Sequence, residues 1–133
     1  MQWILTAGRF LTDPAVLNGG VLLLESSEEL IPAREFGWIT RSLGERGVLE
    51  AVDAVIVARP PTSDFTVRPS AAERRAKREE QRDTVIDVVH AYNPDAVIVV
   101  GPPFGHTRPQ WIVPYGGLIT VDGANRQLSA DYS

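Results

Sequence analysis

The 133-residue sequence has no cysteine, only two histidines and one methionine. Without cysteine there can be no disulfide, thiol nucleophile, CxxC redox pair or cysteine-held zinc, and two histidines leave little for any other metal centre. Long apolar runs are absent too: none approaches the roughly 18 residues of a membrane-spanning helix, and Met1 to Phe10 lack a basic leader followed by an apolar stretch. Positive charge is in short supply. Thirteen Lys and Arg stand against seventeen Asp and Glu, a formal charge of −4, which argues against a broad footprint on nucleic acid. The expected setting is the cytoplasm, with no membrane and no nucleic acid as partner.

What is present is the balance of one globular domain, 44% hydrophobic and 23% charged, with no internal repeat and no low-complexity segment. Three short branched runs organise it: Val21 to Leu24, Ala54 to Ala58 and Ala96 to Val100, each continuous enough for a strand covered on both faces. Between the first two, Pro32 suits a first helical position, and Phe36, Ile39, Leu43 and Trp38 supply an apolar stripe ending near Gly44 or Gly47. Between the second and third, a helix from Ser70 to about Tyr92 begins charged, with Glu73 and Lys77, and Arg75 and Glu79, four apart. It turns apolar at Val85, Ile86, Val88 and Val89 and stops at Asn93-Pro94. Leu118 to Val121, Asp122-Gly123 and Gln127-Leu128 read as a terminal hairpin. The pattern predicts an α/β fold whose sheet becomes mixed by antiparallel addition of that hairpin at its edge. Residues 1–18 read as a linker or tail and 19–133 as the domain.

In open α/β sheets functional groups gather beyond the carboxyl ends of the strands, which selects Glu25, Arg59 and His106. Glu25 can equally be a solvated helix-approach acid, and Arg59 an ion-pair partner. The loop from Gly101 to Trp111 is more informative: two prolines fix its backbone while Gly105 admits a conformation other residues avoid, so it can aim His106. An imidazole held on one nitrogen by a carboxylate is the general base of a serine hydrolase, and Glu25 could supply that carboxylate. His90, in the apolar end of a helix, reads as structural or partly exposed. No serine suits the nucleophile: there is no GxSxG elbow, Ser26 and Ser27 sit among acids, and Ser42, Ser63, Ser70, Ser129 and Ser133 occupy helix, loop or terminal positions. A different class of function, a non-catalytic module whose 101–105 loop cradles an anion or small metabolite, is weakened by two prolines that lack amide donors.

Three segments, Gly19-Gly-Val-Leu-Leu-Leu-Glu25-Ser-Ser-Glu-Glu29, Arg78-Glu-Glu-Gln-Arg82 and Gly105-His-Thr-Arg-Pro-Gln-Trp-Ile-Val-Pro-Tyr-Gly116, resemble the carboxyl-terminal domain of the LD-carboxypeptidase family of serine peptidases. They look more like its microcin C immunity branch than its peptidoglycan-recycling, muramoyltetrapeptide carboxypeptidase branch. The resemblance runs from residue 3 to about residue 128. It implies a small swivelling β/α/β domain and a Ser-Glu-His triad in which Glu25 orients the imidazole and His106 is the base. The serine then belongs to an amino-terminal domain outside this chain, which is the implied partner, and the chain alone should be inactive. The implied substrate is a murein peptide or a microcin-like peptidyl nucleotide, and no metal or cofactor is implied; Arg59, selected as a strand-end residue, is the candidate for substrate binding. A domain parted from its partner also exposes an apolar face through which it could self-associate as a homodimer.

Overall fold

The computed structural model of the chain describes residues 13–132. Three parallel strands, β1 (Val21–Leu24), β2 (Ala54–Val57) and β3 (Val97–Val100), pair in the order β1-β2-β3. Register places Leu22 beside Val55 and Val55 beside Ile98. Because side chains alternate along a strand, each run serves both faces of the sheet. Leu22, Leu24, Val55, Val57, Ile98 and Val100 face one cluster, with Phe36, Leu43, Leu49, Val85 and Val89. Val21, Leu23, Ile56 and Val99 face a second cluster, closed by Phe104, Ile119, Val121 and Leu128. β2 is buried along its whole length, as a central strand must be.

The helices lie on the first face: α1 (Ala33–Gly44), a single-turn α2 (Val48–Ala51) and α3 (Ala71–Tyr92). Pro32 caps α1 and is not its first residue. The stripe that α1 buries is Ala33, Phe36, Gly37, Thr40 and Leu43, so Trp38 points outward, with the Arg34 guanidinium 5.0 Å from its ring centroid. The reason is close approach: a Cβ on Gly37 would lie 2.7 Å from Thr84 Cγ2, and one on Gly44 would enter the Tyr92 ring. Small residues make the seam between α1 and α3, and a search for large apolar side chains passes over them. Thr40 is fully buried because its hydroxyl donates to the Phe36 carbonyl, which removes the penalty of an unpartnered polar group.

Ser70 starts α3 with a capping box: its hydroxyl accepts from the Glu73 amide and the Glu73 carboxylate accepts from the Ser70 amide. Glu73 is thereby engaged in the cap, while the expected Arg75–Glu79 pair forms at 2.8 Å. At the far end the Asn93 amide donates to the carbonyls of Leu49 and Val52, tying the exit of α3 to the approach of β2.

The terminal hairpin, β4 (Ile119–Asp122) and β5 (Gln127–Ala130), forms its own two-stranded antiparallel sheet. The class is α/β as read, but among the described residues no mixed sheet arises. The hairpin's apolar residues pack across the second face of the parallel sheet and do not pair with its edge, because among the described residues that face carries no helix and its branched side chains need cover. Of the segment read as a linker, residues 1–12 lie outside the described residues. Pro14–Leu17 form a 3-10 turn capped by Asp13, and Leu17 packs on the first cluster. Among the described residues no helix is long and apolar enough to cross a membrane.

Leu49 is completely buried in the helix-side cluster. Leu49→Ala should therefore lower unfolding free energy by about 2–5 kcal/mol in urea denaturation, and a loss below about 1 kcal/mol would show that this cluster is not the core.

Candidate active site

The carboxyl ends of β1, β2 and β3 deliver Glu25, Arg59 and the 101–110 loop to one edge of the sheet. Glu25 and the loop leave from the two outer strands, so the loop must cross the end of β2 to reach the carboxylate. Backbone bonds guide it: the Gly101 amide donates to the Val57 carbonyl at 2.9 Å and the Arg59 amide to the Pro102 carbonyl at 3.0 Å. Phe104, buried in the second cluster, anchors the crossing.

Gly105 then has φ of 79°, and a Cβ there would overlap Glu25 Oε2 and lie 3.0 Å from its Cδ. Only glycine meets both demands, a left-handed backbone and contact with the carboxylate. Immediately beyond it, His106 Nδ1 lies 3.0 Å from Glu25 Oε2 across 81 positions of sequence. The carboxylate is itself held, since Oε2 also accepts from the Ser27 amide at 3.0 Å, where Ser27 takes φ of 57°. The sequence suggested this pairing only through resemblance, and the structure brings the two side chains together.

With Nδ1–H donating to Glu25, the lone pair of the neutral ring sits on Nε2, on the side of Glu28. Nε2 is 3.5 Å from Glu28 Oε2. The hydrogen bond to Glu25 and then its charge raise the His106 pKa above 6.5; desolvation opposes them, and the charge of Glu28 adds the smallest push, upward. Glu28 is pushed down, first by the Ser27 hydroxyl and its own backbone amide and then by His106. Sequence reading missed Glu28, although its place three residues after Glu25 on the same short turn was the available signal. Such an arrangement accepts a proton at Nε2 and stabilises the resulting imidazolium.

Arg59 braces the histidine loop: Nη2 donates to the Arg108 carbonyl at 3.1 Å and Nε to the Thr107 hydroxyl at 3.5 Å. In the 101–105 loop the Gly101 amide is committed to Val57 and Pro102 and Pro103 have none, which leaves few backbone donors for an anion. His90 is exposed on the last turn of α3. Among the described residues no serine hydroxyl donates to His106. Ser27 bonds Glu28, Ser42 bonds the Trp38 carbonyl and Ser70 caps α3, while Ser133 lies outside the described residues. Nor do the described residues hold a His, Asp or Glu cluster of metal-binding type.

Among the described residues, a Glu–His pair with no serine hydroxyl bonded to it stands at the strand ends of a compact α/β domain. The family model of the LD-carboxypeptidase C-terminal domain matches residues 5–121, and the chain belongs to that family of serine carboxypeptidases. Among solved structures it is similar to the MccF-like protein from Streptococcus pneumoniae, determined in complex with AMP, at 24% identity and a TM-score of 0.69, covering 90% of this chain and 31% of that one. It is also similar to muramoyltetrapeptide carboxypeptidase from Oxalobacter formigenes, at 20% identity and a TM-score of 0.52, covering 82% and 34% respectively. The chain thus spans about a third of either structure. No curated protein matches it.

Gly105→Ala tests the geometry. The substitution should cost about 1–2 kcal/mol from the left-handed backbone alone and separate the loop from Glu25. The His106 pKa then falls towards 6.5, read by NMR titration. A raised folded-state pKa stabilises below the unfolded value and ceases to do so as pH rises through the folded one, so the variant should lose the acid-side part of its stability most. An unchanged His106 titration would contradict the contact.

Proposed function

We propose that Glu25 and His106 are the orienting acid and general base of a Ser-Glu-His triad whose serine lies on an amino-terminal domain, joined through the segment ending near residue 18. The observation that carries this reading is the 3.0 Å contact between His106 Nδ1 and Glu25, with His106 on the wall of an open cleft. Coverage of only a third of the similar solved structures supports a second domain. So does the apolar group around the hairpin's outer side, where Ile112, Leu118 and Tyr132 are exposed. We assign that face to the nucleophile domain; homodimerisation of the chain through it is the competing use.

The reaction is hydrolysis of an amide. The serine Oγ attacks the carbonyl carbon as its proton passes to Nε2, and the tetrahedral intermediate collapses when Nε2–H protonates the leaving nitrogen. Water then repeats the sequence on the ester, returning the serine. Glu25 keeps Nδ1 protonated and stabilises the imidazolium throughout. Arg59 holds the loop and borders the cleft, where it also contacts substrate. The candidate substrates are a murein tetrapeptide and a microcin-like peptidyl nucleotide, in the cytoplasm. The AMP bound by the Streptococcus pneumoniae protein favours the second. The chain by itself lacks the nucleophile and is inactive.

The full-length protein should hydrolyse one of these classes, and His106→Ala and Glu25→Ala should each reduce kcat by about 10⁴-fold without changing the circular dichroism spectrum. Full activity in His106→Ala would exclude the triad. Because the base must be unprotonated and Glu28 favours its protonated form, Glu28→Gln should move the acid limb of the kcat/KM profile to lower pH. An acid limb moving upward would contradict the role given to Glu28.

A further inference from the structure

Beside His106 lies an open cleft of about 860 Å³ whose walls include Arg59, Arg68, Arg78 and Arg108. Among the described residues none of these guanidinium groups has a carboxylate within ion-pair distance. Two carboxylates line the same cleft, and both are engaged. Glu28 accepts from Ser27 and faces His106. Asp64 Oδ1 accepts from the Thr66 amide and hydroxyl and from the Val67 amide, an arrangement that lowers its pKa and closes the turn immediately before Arg68. Arg78 reaches into the cleft from α3, with Nη2 3.4 Å from the hydroxyl of buried Thr62. Its pKa is lowered by desolvation and then by the charges of Arg59 and Arg74, so positive groups crowd one another there. Arg68 and Arg78 are exposed at the cleft, and arginines sharing a cleft without carboxylate partners present planar forks that match carboxylate and phosphate oxygens.

We propose that Arg68 and Arg78, with Arg59, receive an oxyanion carried by the leaving half of the substrate. The assignment of the leaving side rests on the triad reading: the cleft opens at His106, whose Nε2 delivers the proton to the departing nitrogen. Both candidate substrate classes release an amine bearing an anion close to that nitrogen, a carboxylate in one and a phosphoryl group in the other. Specificity for an anionic leaving group is thereby built into this domain, separately from the nucleophile.

Two arms test it. In the first, the chain is titrated with acetate, methyl phosphate and neutral acetamide while the arginine Nε–H resonances are followed by NMR. The two anions should shift Arg59, Arg68 and Arg78 saturably, acetamide should not, and the stronger anion names the leaving-group chemistry. The Arg68→Gln/Arg78→Gln variant should bind at least about 10-fold more weakly, and added salt should weaken binding by wild type. In the second arm, the full-length protein is given a substrate ending in a carboxylate or in its amide; the same variant should lose most of the preference for the carboxylate, through KM more than kcat. Indistinguishable acetate and acetamide titrations, or a variant unchanged in both arms, overturns the proposal. Anion binding by the three arginines in a full-length protein that hydrolyses neither class refutes the triad reading and the leaving-side assignment, while the anion site itself stands.

Discussion

The arrangement of this domain turns on one close approach, the backbone of Gly105 against the Glu25 carboxylate. A side chain at 105 would occupy the space of Oε2, and without that contact His106 has no fixed partner. Everything on either side serves it. The three-stranded sheet places the ends of β1 and β3 two strands apart, Phe104 pins the loop to the sheet's second face, and Arg59 at the end of β2 holds the loop's far limb through Thr107 and Arg108. The Ser27 amide fixes the carboxylate from below. A hydrogen bond between two partly exposed side chains is worth little in stability, so its role is orientation.

The two faces of the sheet divide the labour. Helices α1 and α3 cover one face through a seam of small residues, Gly37 and Gly44 against Thr84 and Tyr92, and supply most of the buried apolar surface. The other face is covered by the hairpin and the histidine loop, with a smaller buried group around Ile56 and Phe104. The histidine loop thus rests on the more lightly covered side, while the strands beneath it are fixed by the heavier one.

The sequence made the strands, the long helix and the hairpin plain, because branched runs bounded by turn residues and a helical run from Ser70 that passes from charged to apolar are local signals. Glu25 and His106 were legible as strand-end residues for the same reason. Their contact was not, since no local rule couples a turn after the first strand to a loop after the third. The hairpin was read correctly as an element but its docking was not: a strand pattern does not say whether it pairs with a sheet edge or lies across a face. The outward Trp38 and inward Thr40 reversed the expected order of α1, because helix packing there is decided by which residues are small enough for α3 to approach. Arg68 gave no sign and Arg78 stood out only within a segment that carries the resemblance, since they come from a loop and a helix that only the fold brings beside His106.

The central claim is that this chain presents a preassembled Glu25–His106 pair with its basic nitrogen free for a proton. The most direct test is ¹⁵N NMR of the His106 ring across the pH titration of the chain, in wild type and in Glu25→Gln. The account predicts a neutral ring protonated on Nδ1 with the lone pair on Nε2, titrating above 6.5 in wild type and lower in the variant. A ring protonated on Nε2, titrating alike in both proteins, would contradict it.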